Sequence, residues 1–193
     1  MSAASASNRP RYAPIAPDPA ARAHLLIADR AAVDPAALAG GVALADFGEV
    51  WTVAGDVHVL PRPFGGPGVH PFRSVSHVLT MLGHRLAAET MGLRIYAVGL
   101  EPFVWDVARV ARNAGMGAGE IRLFACGEHR RRVWCVHCRN VMPDVTTTVV
   151  ECSGCGAQLG VRDHFSRTQN AWMAVQVDAE VPGEVPEAEL LQP

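Results

Sequence analysis

Two Cys-x-x-Cys pairs fix what the last third of this chain can become. Cys135-Val136-His137-Cys138 and Cys152-Ser153-Gly154-Cys155 stand thirteen residues apart. Two cysteines three positions apart turn both sulfurs toward one point through a tight knuckle, and two knuckles close a tetrahedron around one ion. Gly154 and Gly156 give the second knuckle its backbone freedom. We read Cys135, Cys138, Cys152 and Cys155 as ligands of one structural Zn²⁺, a closed site with no open position and so no catalysis. Iron of the rubredoxin type shares this sulfur geometry and stays open as an alternative, although Arg139 stands where a glycine usually follows such a knuckle. His137 reads as an exposed knuckle residue and Cys126 as a small core residue. His164 reads as non-catalytic, a donor to a cysteine sulfur or a turn cap.

The chain has 193 residues, 49% of them hydrophobic, so it can bury a substantial core. Charged residues make up 19%, below the roughly 25% usual for soluble domains, which suggests a surface partly covered by partners. Seventeen Lys+Arg against nineteen Asp+Glu leave a formal charge of -2. With no cationic excess to drive phosphate-backbone binding, a nucleic-acid partner is not expected. The arginines 130 to 132 and 139, with Trp134, read as a solvated or partner-facing edge. No apolar stretch reaches the ~18 residues needed to cross a bilayer, and residues 1–19 lack a signal-peptide core. A cytoplasmic location is expected, where thiols stay reduced and five cysteines favour metal binding over disulfides.

Four regions follow from texture: a flexible arm over 1–20, an α/β domain over 21–126, a zinc ribbon over 127–178 and an extended acidic tail over 179–193. In the α/β part, His24 to Ala28 and Val50 to Ala54 read as strands, with a short helix after Asp34-Pro35 and a loop from Pro61 to Pro71. Val75, Val78, Leu79, Leu82 and Leu86 form one helical stripe. The strand Leu93 to Val98, a helix from about Pro102 to Asn113 and the strand Ile121 to Phe124 make a βαβ unit of a parallel sheet. Beyond Cys126, the β-branched run Val145 to Val150 and the alternating Ala171 to Val177 predict a small β-rich module.

The turn Ile95 to Phe103 carries no G-x-G-x-x-G and no phosphate-loop lysine, and Glu101 sits where it would repel a phosphate. This stretch resembles the last βαβ of the NAD(P)-binding lobe of ferredoxin reductases. Val98 replaces the cysteine of that lobe, and Leu100-Glu101-Pro102 replaces its proline turn. The resemblance implies a shared scaffold with the cofactor function lost, so no cofactor-binding or catalytic residue is assigned.

A second resemblance is sharper. Trp134-Cys135-Val136-His137-Cys138, Cys152-Ser153-Gly154-Cys155-Gly156 and Leu159-Gly160-Val161-Arg162-Asp163-His164-Phe165-Ser166 are followed by Ala171-Trp172-Met173 and Val181-Pro182-Gly183-Glu184. Together they resemble the C-terminal domain of the DmmA-like subunit of dimethylamine monooxygenase, a haem-dependent oxidative N-demethylase. The resemblance implies a small non-catalytic subunit of a complex that uses NADPH and O₂ to convert dimethylamine to methylamine and formaldehyde. It places haem, FMN with a [2Fe–2S] cluster, and tetrahydrofolate in haem, reductase and folate-binding partner subunits.

Overall fold

The computed structural model describes residues 8–30, 33–53 and 68–192. They pack as two units, one of residues 12–127 and one in which residues 8–11 join residues 128–192.

The first unit is built on a five-stranded, wholly parallel sheet. Its strands are β1 (Ala23–Ala28), β2 (Glu49–Val53), β3 (Val69–Phe72), β4 (Leu93–Gly99) and β5 (Ile121–Ala125), in the order β3-β2-β1-β4-β5. A parallel sheet covered on both faces needs strands that are apolar throughout, and the two central strands comply. Leu25, Leu26, Ile27, Ile95, Tyr96 and Ala97 are all fully buried. Helix α1 (Val75–Ala87) joins β3 to β4, and α2 (Glu101–Asn113) joins β4 to β5. The Ser74 hydroxyl caps α1 by accepting the His77 N–H at 3.2 Å. At the far end of α2, Gly115 (φ 92°) and Met116 donate to the carbonyls of Arg112 and Ala111. That pair of bonds needs a left-handed residue, which glycine supplies. The α2 stripe of Val104, Val107, Ala108 and Ala111 is buried as the sequence predicts, whereas in the α1 stripe Val78, Leu82 and Leu86 are buried and Val75 and Leu79 only half-buried.

The other face of the sheet carries no α-helix among the described residues. Leu26, Val50, Tyr96 and Val98 pack there against Ile15, Ala37 and Phe47, with Leu38, Val42 and Leu44 around them. The short helix expected after Asp34-Pro35 is only a 3-10 turn, Pro35–Ala37, and a second such turn spans Leu44–Phe47. Residues 12–20, expected to belong to a flexible arm, run along this face. Ile15 is buried and exchanges backbone hydrogen bonds with Ala37 and Ala39. Tyr12 donates its hydroxyl proton to Glu101 at 2.8 Å and accepts from the Trp105 indole N–H at 2.9 Å. Of the loop expected over Pro61 to Pro71, residues 61–67 lie outside the described residues, while Val69, His70 and Pro71 form edge strand β3. An edge strand tolerates proline because one row of its N–H groups is not required by a neighbour.

The second unit is a five-stranded mixed sheet. Its strands are β6 (Arg131–Cys135), β7 (Val141–Val145), β8 (Val149–Glu151), β9 (Gln158–Ser166) and β10 (Ala171–Gln176), in the order β7-β6-β10-β9-β8. The pairs β6–β7, β8–β9 and β9–β10 are antiparallel, and β10 joins the two halves by pairing parallel to β6. Val133, Leu159, Phe165, Ala171, Trp172 and Ala174 form its core. Described residues near both ends of the sequence are tied to it. The Asn8 amide donates to the Phe165 carbonyl at 2.8 Å, and Arg9 pairs with Asp163 at 2.9 Å. In the tail, Leu191 is buried and donates its N–H to the Thr146 carbonyl at 2.9 Å. No helix among the described residues is long and apolar enough to cross a membrane.

Candidate metal centre

Each Cys-x-x-Cys lies at the turn of a hairpin. β6 delivers Cys135 and β7 resumes after Cys138; β8 leads into Cys152 and β9 resumes after Cys155. The two turns repeat one hydrogen-bond pattern. Cys135 N–H donates to the Asn140 carbonyl and Arg139 N–H to the Cys135 carbonyl, both at 2.9 Å. In the second turn Cys152 N–H donates to Ala157 at 2.9 Å and Gly156 N–H to Cys152 at 2.8 Å. The fifth residue of each turn has a left-handed backbone: Arg139 at φ 67° and Gly156 at φ 74°. Asn140 ties the turns together, its amide donating to the Ser153 hydroxyl at 2.9 Å.

The result is four sulfurs within 4.8 Å of one another, a group that could hold a metal ion. Cys138 and Cys152 sulfurs are 3.6 Å apart and those of Cys135 and Cys155 are 4.0 Å apart. A tetrahedral ion with metal–sulfur bonds of about 2.3 Å requires sulfur–sulfur edges near ~3.8 Å. Two of the six edges thus bracket that length and the rest lie within 4.8 Å, and four sulfur donors are a set that a tetrahedral cation takes. Cys135 and Cys152 are buried, whereas Cys138 and Cys155 are exposed.

The surroundings split the proton affinities of these thiols. Burial works against the Cys152 thiolate, but the N–H groups of Gly154 and Cys155 and the thiols of Cys138 and Cys155 outweigh it and bring the group down to about 6. The backbone of Asn140 favours the Cys138 thiolate, yet burial and the three neighbouring sulfurs push that thiol up to about 12. The Gly154 N–H also points at the Cys152 sulfur, at 3.4 Å. A divalent cation would displace the remaining protons and leave four thiolates around it, a cluster of net charge -2.

Of the other residues singled out from sequence, His137 and His164 are exposed. Cys126 is only half-buried, at the rim of the first unit's core, where burial raises its thiol above the ordinary range. Arg131 belongs neither to a solvated edge nor to the cysteine cluster. It is buried, with its guanidinium carbon 3.9 Å from the Trp172 ring centre and its Nη1 3.7 Å from Asp163. Asp163 therefore receives Arg9 and Arg131 together, which gives the Val161 to Ser166 segment a structural role. Asn140 went unnoticed in the sequence; its position directly after the first knuckle was the available signal.

A parallel α/β unit followed by two hairpin turns that bring four cysteine sulfurs together defines a two-unit protein with a candidate metal centre. Residues 4–121 match the N-terminal domain, and residues 132–175 the C-terminal domain, of the family described as dimethylamine monooxygenase subunit DmmA-like. The chain belongs to that family. It is also similar to the haem-dependent oxidative N-demethylase delta subunit of Ectopseudomonas mendocina (strain ymp), at 38% identity over 111 residues. The match spans 58% of this chain and 63% of that relative's length. No solved structure matches the chain.

Proposed function

We propose that this chain is a zinc-knit, non-catalytic subunit that holds together a multi-subunit oxidative N-demethylase acting on dimethylamine. The observation that carries the reading is the convergence of two hairpin turns on one four-sulfur point, in a chain of the DmmA-like family. Four thiolates fill the shell of a Zn²⁺ ion and leave it no position for substrate, so the ion is a structural clamp. In small zinc peptides such a clamp supplies roughly 10–16 kcal/mol of apparent folding energy. Beside β10, the Asn140–Ser153 hydrogen bond and the Arg131–Asp163 pair link the β6–β7 and β8–β9 hairpins, and the ion would lock their two turns at one point.

In this reading the chemistry resides in partners: a haem subunit, a reductase carrying FMN and a [2Fe–2S] cluster fed by NADPH, and a tetrahydrofolate-binding subunit. The α/β unit serves as a scaffold of the ferredoxin-reductase type without its nucleotide, and the chain works in the cytoplasm, where its thiols stay reduced. The parallel order β3-β2-β1-β4-β5 supports the scaffold part of this reading.

The test is elemental analysis joined to reconstitution. One zinc per chain, a colourless protein, and loss of co-purifying haem and reductase subunits when Cys135→Ser is introduced are expected. Iron with visible absorption, or a metal-free chain with an intact β6–β10 sheet, would overturn the zinc clamp. Full coupled turnover by the other subunits alone would overturn the assembly role.

A further inference from the structure

Between β1 and β4 the strand order of the parallel sheet reverses. Open parallel sheets take phosphate-bearing ligands in the crevice that such a reversal opens beyond the carboxyl ends of the strands. Here the crevice holds a side chain of the protein itself. Asp29, the first residue after β1, reaches across to β4, and its Oδ2 accepts the N–H of Leu100 at 2.7 Å. Leu100 is the residue that caps α2. The Asp29 side chain is only 7% exposed. Its carboxyl group fills the space that a Cβ on Gly99 would need, and Gly99 has φ 148°.

The cation that would greet an incoming phosphate is engaged as well. Arg30 sets Nε 2.9 Å from Asp29 Oδ1 and Nη2 3.4 Å from Oδ2. Gly127 leaves room for that guanidinium, since a Cβ there would stand 3.0 Å from Nη2. One residue into α2, Glu101 adds a second carboxylate, held by the Tyr12 hydroxyl. A helix-end N–H and a guanidinium are the donors that phosphate sites commonly use. In this chain the Leu100 N–H and the Nε and Nη2 edge of Arg30 face Asp29, while the rest of that guanidinium stays half-exposed.

We propose that Asp29 is a resident anion that seals the crevice between β1 and β4 against phosphate-bearing ligands, and that removing its carboxylate uncovers an anion site. The inference rests on the reading that this chain has no active site of its own, and it is separable from the metal clamp because its readouts do not involve the cysteines.

The experiment uses the full-length, metal-loaded protein and two probes, sodium formate and ADP, each against sodium chloride of equal ionic strength. Asp29→Ala is expected to melt below the wild type. Formate, which replaces the missing carboxylate, should raise its midpoint by about 3 °C at tens of millimolar. The wild-type midpoint should not move. No formate effect on Asp29→Ala beyond the chloride control overturns the proposal. The wild type supplies a second readout that does not depend on the variant folding: the backbone amide resonance of Leu100. It should stay in place when ADP or formate is added. A saturable shift of that resonance means the crevice is open, and the proposal falls.

Discussion

Arg139 and Gly156 occupy the same position in two copies of one turn: each is the fourth residue after the first cysteine of its knuckle, and each has a left-handed backbone, at φ 67° and 74°. Glycine takes that conformation without strain, whereas a residue with a Cβ does so at a cost of roughly 1–2 kcal/mol. Arg139→Gly should therefore stabilise the metal-loaded protein. The unfolded chain gains freedom in the exchange, so the net effect expected is about 0.5–1 kcal/mol. Gly156→Ala should destabilise by a similar amount. Denaturant unfolding of the two variants beside the wild type checks both signs.

Removing the metal should act on one unit and spare the other. The β6–β10 sheet draws its hairpins together at the four sulfurs, while residues 12–127 have a core of their own. A strong chelator should abolish the near-ultraviolet circular dichroism of Trp134 and Trp172, and the helical signal of α1 and α2 should persist. Cys135→Ser and Cys152→Ser, which alter buried positions, should unfold the second unit more completely than Cys138→Ser or Cys155→Ser.

Metal affinity should rise with pH. Cys152 is held down to about 6, so above neutral pH it is already a thiolate and contributes no proton. Cys138 is pushed up to about 12, so throughout the physiological range the metal must displace its proton. Each proton released tightens binding about tenfold per pH unit. The dependence between pH 7 and 8 should be at least that steep, and it should steepen below pH 6 as Cys152 protonates. Competition with a chromophoric chelator across this range, together with calorimetry in buffers of different ionisation heat, measures the slope.

Arg131 lies on the Trp172 ring and beside Asp163, buried from water. A desolvated cation over indole contributes about 2 kcal/mol, and truncation would also strip Asp163 of one of its two arginines. Arg131→Ala should lose at least that much stability. Arg131→Lys should recover less than half of the loss, because an ammonium cannot stack its charge flat on the ring. Tryptophan fluorescence during denaturation reports both.

The periodic parts of the molecule were legible in the sequence. The α2 stripe of Val104, Val107, Ala108 and Ala111 is buried as its spacing requires, and the continuous apolar runs in β1 and β4 mark strands covered on both faces. The clustering of the four cysteines was legible because the spacing of a knuckle is a local property. What escaped was the structure that depends on partners distant in sequence. Strand β3 hid in a proline- and glycine-rich stretch because an edge strand of four residues needs no periodic pattern. Ile15, alone among small residues and prolines, gave no sign that it would be buried under Ala37 and Leu38. Arg131 looked like one of four arginines on a solvated or partner-facing edge, since nothing local announces a tryptophan forty-one positions further on. Asp29 gave no signal either, because its partner Leu100 is brought to it only by the parallel pairing of β1 with β4.

The second unit is discontinuous in the chain: residues 8–11 belong with residues 128–192, and the whole parallel sheet is threaded between them. During synthesis the α/β unit can therefore fold while Asn8 and Arg9 still wait for Asp163 and Phe165 to leave the ribosome. An ion taken up by the proposed clamp must wait until Cys152 and Cys155 have followed the α/β unit out of the ribosome, so a shortage of that ion would leave residues 12–127 folded beside an unfinished second unit.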